Sequence, residues 1–266
     1  MEHLTALQEP ELESASRFYD KLAADYDTMT GFEKRFVHER PFFNMLLEKY
    51  SIKTALDAGA GTGFHSLLLS ELGVAVTAVD VSKKMLEKVK AHAKLRHMKI
   101  DVVESSFHDL PDRVHRKYDA VFCMGNSLPH LSTRKDLEQS LKNFWTLLNP
   151  GGLLFLQILN YDRILAKKER VQSVKEMGEV TFVRFYEFHR DHVIFNILKL
   201  KKENGQPVQE IESVRLRPIL KDEMILGLKE AGFSEIQTHG SIMLDDFRKE
   251  TSKDLVVLSQ KPIAKN

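Results

Sequence analysis

The sequence has little of what marks several large classes of protein. Its 266 residues contain one cysteine, Cys123, and carry a net charge of only +1. One thiol can form neither an internal disulfide nor a zinc cluster, so we expect no metal site and a reducing, cytoplasmic compartment. No apolar run reaches the ~18 residues of a membrane span, and the acidic, polar first residues do not resemble a secretory signal. The balanced charge gives no bulk attraction for nucleic acid, so neither nucleic acid nor a membrane is expected as a partner.

What the sequence does contain is a glycine-rich turn, ALDAGAGTG, from Ala55 to Gly63. An apolar lead-in runs into an acid and then into three glycines at alternate positions, which predicts a buried strand that ends in a tight turn. Glycine has no Cβ, so the backbone can take positive φ and a ligand can approach it closely. The next residues, Phe64 to Leu72, carry leucines at helical spacing. Together they predict a corner that binds a nucleotide or nucleoside.

Strands and helices alternate on both sides of this turn. The predicted strands are residues 54–57, 74–79, 99–104, 118–124 and 153–159. Such alternation indicates parallel βαβ units joined by right-handed crossovers. We therefore expect an α/β core at residues 51–160 and 218–262. Residues 1–50 are predicted to form helices, with a kink or break at Pro41.

The pattern changes after Tyr161, and residues 161–217 are predicted to be an insertion. Residues 180–188 and 193–201 alternate in type with period two, and residues 210–217 follow them. Asn204-Gly205 is a hairpin signal between the last two segments. The insertion is therefore predicted to be an antiparallel meander of about three strands. It is either a sheet with one buried and one wet face, or a cap over a binding site as well.

A ligand is expected at the carboxyl ends of the strands, where the strand order reverses. A dinucleotide turn has the spacing G-x-G-x-x-G, with a helix N-terminus aimed at the pyrophosphate. Here the third glycine position is Phe64, which makes an NAD-dependent dehydrogenase the less favoured alternative. Asp80 ends the second strand, where a carboxylate can accept hydrogen bonds from both ribose hydroxyls. The other interpretation of Asp80 is a helix-capping acid.

Four segments together resemble class I S-adenosylmethionine-dependent methyltransferases: ALDAGAGTG, VTAVD, YDAVFCMGNSLPHL and LLNPGGLL. Within that superfamily the chain is most similar to the glycine and glycine/sarcosine N-methyltransferase group, through GNSLPHL (Gly125 to Leu131) and NYD (Asn160 to Asp162). The resemblance implies a Rossmann-like, mostly parallel sheet with an antiparallel C-terminal strand. It also implies that residues 1–50 form a lid and that residues 161–217 form a substrate or cap region.

The resemblance further implies S-adenosylmethionine as cofactor and S-adenosylhomocysteine as product. Gly59 and Gly61 would lie against the methionine portion, Asp80 would hold the ribose diol, and the Met124 carbonyl would accept from the cofactor amine. Tyr26 would cover the cofactor. The implied cofactor-binding set is Tyr26, Arg35, Gly59, Ala60, Gly61, Thr62, Gly63, Asp80, Val81, Met85, Ser105, Ser106, Phe107, Met124 and Gly125.

The loop after the fourth strand supplies the catalytic candidates. Asn126 and His130 lie where the methyl group and the acceptor would meet, so we expect them to orient the acceptor. Ordinary turn chemistry and a packed loop histidine are their other interpretations. The further substrate candidates are Tyr19, Ser127, Tyr161, Arg184 and Tyr186.

One position departs from the family pattern. In the glycine N-methyltransferases an arginine precedes NYD and clamps the acceptor carboxylate, because a guanidinium fits that group in a bidentate way. Here that position is Leu159. The carboxylate anchor is therefore missing, or it comes from elsewhere, such as Arg163, Arg184 or Arg217.

The function expected from the sequence is S-adenosylmethionine-dependent methylation of a small-molecule acceptor, an amine or amino acid, at nitrogen. The alternatives are an O-methyltransferase of a small molecule and an RNA or protein methyltransferase. An S-adenosylmethionine-binding protein without catalysis is the alternative that is not an enzyme. Balanced charge weighs against RNA.

Overall fold

The computed structural model describes residues 13–203 and 206–263. Its helices are α1 (Ala15–Leu22), α2 (Tyr26–Thr30), α3 (Phe32–Lys49), α4 (Phe64–Glu71), α5 (Lys83–Leu95), α6 (Leu110–Arg113), α7 (Arg134–Leu147), α8 (Tyr161–Lys167) and α9 (Lys221–Glu230). Its strands are β1 (Thr54–Ala58), β2 (Ala75–Asp80), β3 (Asp101–Glu104), β4 (Tyr118–Cys123), β5 (Leu148–Leu159), β6 (Val171–Met177), β7 (Val180–Phe188), β8 (Val193–Glu203), β9 (Gln206–Leu216), β10 (Ser234–His239) and β11 (Asp254–Gln260).

Seven of these strands form one sheet, in the order β10-β11-β5-β4-β1-β2-β3. Strands β1 to β5 pair in parallel, whereas β11 is antiparallel to β5. The predicted Rossmann-like sheet with an antiparallel C-terminal strand is thereby confirmed. Strand β1 lies between β2 and β4, so the chain order reverses there. The carboxyl ends of these three strands open onto one edge of the sheet, where ligands bind in such folds.

The hydrophobic core lies on both faces of this sheet because neighbouring residues of a strand point in opposite directions. On β4, Phe122 packs with Phe43 of α3 on one face. Val121 packs with Leu141 and Phe144 of α7 on the other face. All five side chains are fully buried. The loop that follows β4 is therefore supported by a well-packed core on both faces of the sheet.

The insertion forms a second sheet, entirely antiparallel, in the order β6-β7-β8-β9. The prediction of about three strands was wrong by one, because β6 was missed. Its apolar residues Val171, Val174 and Met177 are spaced by three, and most of the strand is exposed, so it lacks the period-two signal. The Asn204-Gly205 hairpin signal lies outside the described residues.

Helix α3 runs unbroken through Pro41, so the break that was one of the two predicted outcomes does not occur. Proline removes one N–H and leaves a carbonyl one turn earlier without its helical partner. Pro41 and Val37 both lie on the exposed side of the helix, where water can bond that carbonyl. None of the described helices is long and apolar enough to cross a membrane.

Helix α1 is fastened to the loop that follows β2. Ser14 caps the helix, and Phe18 and Leu22 are buried on one of its faces. The Ser16 hydroxyl donates to the Val81 carbonyl at 3.0 Å, and the Ser82 hydroxyl donates to Asp20 at 2.6 Å. These bonds hold the α1 face beside Asp80. That residues 1–50 act as a lid remains a prediction.

Candidate active site

The glycine turn joins β1 to α4 through three residues in the left-handed region. Gly59, Gly61 and Gly63 have φ values of 78°, 56° and 90°, where a side chain is strained. Space is also short. A Cβ on Gly59 would lie 2.5 Å from the Ser127 hydroxyl oxygen, and one on Gly63 would lie 3.0 Å from Val89. The turn therefore needs glycine at both ends, for the backbone conformation and for close packing.

Asp80 is fixed beside this turn by two backbone amides. The Gly61 N–H donates to Oδ2 and the Ser82 N–H donates to Oδ1, both at 2.9 Å. Burial raises the pKa of the Asp80 carboxyl to about 6, and the amide bonds oppose that rise. The group is therefore mostly ionised at neutral pH. A carboxylate has about four lone-pair sites, so Asp80 can still accept from two hydroxyls.

A cavity of about 450 Å³ lies between the turn, Asp80 and the first helices. One end of it is polar. Arg35 Nε donates to Glu39 Oε1 at 2.7 Å, and the guanidinium lies over the Phe64 ring, 3.9 Å from its centroid. His65 Nε2 is 3.3 Å from Glu39 Oε2. Burial opposes ionisation of Glu39, but its bonds with His65 and Arg35 outweigh burial and lower its pKa.

The loop after β4 is held in shape by its own side chains. Asn126 is left-handed, with φ of 67°. Its Oδ1 accepts from the Leu159 N–H and its Nδ2 donates to the Tyr161 hydroxyl, both at 3.0 Å. The Ser127 hydroxyl donates to the Met124 carbonyl at 2.9 Å. Asn126 therefore ties this loop to the end of β5 and retains one N–H of its amide for a ligand.

The NYD segment, Asn160 to Asp162, holds the loop after β4 in place through hydrogen bonds. Asn160 caps α8 and donates to the carbonyls of Lys249 and Ser252. Tyr161 is fully buried beneath Asn126. Asp162 accepts from the backbone N–H of Lys221, where α9 begins. The segment thus anchors the end of β5.

His130 and Tyr19 form a buried pair between two elements that are far apart in sequence. The Tyr19 hydroxyl lies 2.9 Å from His130 Nε2, and His130 Nδ1 has no partner. Burial lowers the pKa of His130 to about 4, so the ring is neutral at pH 7. Burial also raises the pKa of Tyr19 well above its usual range. Both groups are therefore uncharged hydrogen-bonding groups.

A second cavity, of about 240 Å³, adjoins the first. The lining residues common to both are Tyr19, Tyr26, Thr30, Arg35, Gly125, His130 and Gln157. The far wall of the second cavity comes from the four-stranded sheet. The lining is Tyr19, Tyr26, Met29, Thr30, Arg35, Gly125, Asn126, His130, Gln157, Leu159, Arg184, Tyr186, Phe195, Ile197 and Leu216. No aspartate or glutamate is among these lining residues, which include two arginines. The chamber is therefore lined by aromatic, apolar and uncharged polar side chains, and both of its charged lining residues are arginines.

Most of the residues singled out in the sequence meet at these two cavities. Those lining the first are Tyr19, Tyr26, Arg35, Gly59, Ala60, Gly61, Thr62, Asp80, Val81, Ser106, Phe107, Met124, Gly125, Ser127 and His130. Those found only in the second are Asn126, Arg184 and Tyr186. Gly63, Met85, Ser105 and Tyr161 line neither: they stand behind the walls and hold them.

Four polar residues of the first cavity were missed: Glu39, His65, Gln157 and Asp254. Gln157 accepts from the Gly125 N–H at 2.7 Å and donates to Asp254 at 2.9 Å. The sequence held a signal for Gln157, which is a lone polar residue in the apolar strand LLFLQIL. No comparable signal marked the other three, because distant segments bring them together.

Comparison with known proteins agrees with this geometry. Residues 55–152 match a family model described as a methyltransferase domain. A glycine/sarcosine N-methyltransferase of Halorhodospira halochloris is 32% identical over 224 residues, which cover 84% of this chain and 81% of the relative. Another, of Aphanothece halophytica, is 29% identical over 251 residues, covering 90% and 86%. The structure of an S-adenosylmethionine-dependent methyltransferase from Clostridium acetobutylicum has a TM-score of 0.79 at 18% identity, covers 92% of this chain and 99% of that one, and shows the shared fold.

The fold and the site together define a class I S-adenosylmethionine-dependent methyltransferase. This confirms the enzyme class and cofactor predicted from the sequence. The chain belongs to the glycine/sarcosine N-methyltransferase family.

The residues of the first cavity fit that cofactor. Asp80 offers free lone pairs for a ribose diol, and the Gly59 turn leaves space that a Cβ would fill. Arg35 at the polar end suits the methionine carboxylate. When bound, the cofactor supplies an activated methyl group on a sulfonium centre. The protein then has to position the acceptor and keep the site dry.

Proposed function

We propose that this enzyme methylates the amino nitrogen of a small amino acid, held in the second cavity. The observation that carries the proposal is the continuity of the two cavities through Tyr19 and His130. An acceptor in the second cavity would therefore lie next to a cofactor in the first cavity, because Tyr19 and His130 line both. The family relatives are named as glycine/sarcosine N-methyltransferases, and a chamber of about 240 Å³ suits an acceptor of that size.

The chamber favours a neutral amine over an ammonium ion. A free amine is mostly protonated at neutral pH, with a pKa near that of lysine, about 10.4. The lining has no carboxylate to pair with an ammonium group, so burying the charged form would be unfavourable. The acceptor therefore releases its ammonium proton to bulk water before or during entry, and its lone pair becomes available for in-line attack.

His130 and Tyr19 then orient the acceptor rather than store its proton. An imidazole with a pKa of about 4 is a weak base at neutral pH. As a neutral pair, His130 and Tyr19 can accept hydrogen bonds from an amine without becoming charged. The remaining N–H of Asn126 provides a donor on the same side.

The experiment measures methyl transfer from S-adenosylmethionine to matched acceptors: glycine and sarcosine as amines, phenol as a hydroxyl acceptor, and acetate as a carboxylate. We expect turnover with glycine or sarcosine only, and a methyl group on nitrogen in the product. His130→Ala and Asn126→Ala should each raise KM or lower kcat. Full turnover and unchanged acceptor affinity in both variants would contradict the orienting role.

We also propose that the enzyme works in the reducing cytoplasm. Its single cysteine, Cys123, is free and buried in β4, so the protein does not depend on an oxidising compartment. Cell fractionation would test this, and enrichment in an extracellular fraction would contradict it.

A further inference from the structure

The second cavity, the proposed acceptor chamber, is lined by a charged side chain, Arg184, that lies between two buried aromatic residues. Arg184 lies on β7 between Phe182 and Tyr186, which are both 2% exposed and share its side of the strand. Its paired residue on β8 is Ile197, which is also buried. This is the face that packs on the core, so a charged side chain there is costly unless something pairs with it.

The described residues do not supply that partner. Arg184 Nη2 makes one long hydrogen bond, 3.4 Å, to the Met29 carbonyl, and the buried Nε has no partner. No acidic residue is among those that line the chamber. A partly buried guanidinium whose buried Nε has no partner can bind an anion, and a planar carboxylate fits its fork.

Arg184 also shares its chamber with the position where the family arginine is absent. Leu159, which occupies that position, lines the same chamber as Arg184. The structure thus assigns the acceptor's carboxylate to Arg184: the anchor has moved from the end of β5 to β7 of the inserted sheet. This inference rests on the proposed function and adds the residue that selects a carboxylate-bearing amine.

The other three candidate arginines are less suitable as carboxylate anchors. Arg217 Nη1 donates to Glu223 at 2.7 Å, and Arg217 does not line the chamber. Arg163 does not line it either. Arg35 lines both cavities but is already paired with Glu39 and stacked on Phe64 at the cofactor end. Of the four, Arg184 is the one that lines the chamber and has no carboxylate partner among the described residues.

The test uses glycine and glycinamide, which share the aminomethyl group and differ at the group that Arg184 would bind, an anionic carboxylate in one and a neutral amide in the other. In Arg184→Gln, kcat/KM for glycine should fall about 10- to 100-fold, the range for losing a hydrogen bond to a charged group. The value for glycinamide should change by less than about twofold. Lys175→Gln is the matched control. Lys175 donates to the same Met29 carbonyl at 3.1 Å but does not line the chamber, so its loss should leave the glycine-to-glycinamide ratio unchanged.

The ratio is measured within one protein sample, so a smaller folded fraction does not alter it. A binding measurement supplements it: acetate should bind the S-adenosylhomocysteine complex of the wild type by calorimetry, and acetamide should not. Acetate binding should disappear in Arg184→Gln while affinity for S-adenosylhomocysteine persists. The double variant Leu159→Arg/Arg184→Leu should recover the preference for glycine that Arg184→Leu alone loses.

An unchanged glycine-to-glycinamide ratio in Arg184→Gln would overturn the assignment while leaving the enzyme an N-methyltransferase. A wild type that binds S-adenosylhomocysteine but methylates neither compound would instead overturn the proposed function. The two failures are therefore distinguishable.

Discussion

The binding of the cofactor should weaken in acid because of Asp80. Its carboxyl has a pKa of about 6 in the free protein, and a ribose diol is bound best by the ionised form. The ionised fraction is about 97% at pH 7.5 and about 9% at pH 5. The dissociation constant for S-adenosylhomocysteine should therefore rise about tenfold between these pH values.

The contribution of Asp80 to stability has the opposite sign. Because burial raises its pKa above the unfolded value, the folded state prefers the protonated carboxyl. That preference is fully present below the unfolded pKa of about 3.9 and is lost as the pH rises through about 6, a difference of about 3 kcal/mol. The site thus keeps an unfavourable buried charge at neutral pH that the ligand's hydroxyls can offset.

Asp80→Asn provides the direct test. The amide cannot accept from Gly61 and Ser82 at both positions, because one of its termini is a donor. We expect about 100-fold weaker binding of S-adenosylhomocysteine by calorimetry, with no further weakening between pH 7.5 and pH 5. The control is Asp119→Asn, since Asp119 also accepts backbone amides but from Lys53 and Thr54, at the start of β1. It should retain the tenfold pH effect, and an equal pH effect in Asp80→Asn would refute the reasoning.

Three further predictions follow from the same contacts. Gly59→Ala should lower stability by at least about 1–2 kcal/mol, from its left-handed φ, and should also weaken cofactor binding because the new Cβ meets Ser127; unchanged melting temperature and affinity would contradict this. His92 bonds Asp27 of α2, and that bond raises the pKa of His92. The contribution of this bond to the free energy of unfolding is therefore present below pH 6.5 and is lost as the pH rises through the higher pKa of the folded state. The stability difference between wild type and His92→Gln should be larger at pH 6 than at pH 8, and an equal difference would refute the contact. Tyr19→Phe leaves a buried imidazole nitrogen without its partner and should lower the free energy of unfolding by about 1–3 kcal/mol in denaturant titrations; an unchanged value would show that the bond contributes nothing.

The cofactor side of the site could be predicted from the sequence because its signals are local. The turn at Gly59 to Gly63 needs positive φ at closely spaced positions, and Asp80 follows directly on a buried strand. Both are properties of short segments. Their convergence follows from parallel strand order, which places the carboxyl ends of β1 and β2 side by side.

The residues on the acceptor side of the site could not be predicted, because they depend on the register of strand pairing, which the sequence does not reveal. Arg163, Arg184 and Arg217 were equivalent candidates for a carboxylate anchor until the pairing of β7 with β8 placed Arg184 opposite Ile197. A shift of one residue would have turned Arg184 to the opposite face of the sheet. Glu39 and His65 likewise meet only because α3 packs on α4. Such contacts arise from tertiary packing and leave no pattern in either segment alone.

The central claim is that the two cavities bring a methyl donor to the nitrogen of a carboxylate-bearing amine. The most direct test gives the wild-type enzyme S-adenosylmethionine with an isotopically labelled methyl group and an equimolar mixture of glycine and glycinamide. The products are then examined by nuclear magnetic resonance. The label should appear on the nitrogen of glycine, well ahead of glycinamide. Label on an oxygen, or no labelled amine from a protein that binds S-adenosylhomocysteine, would contradict the claim.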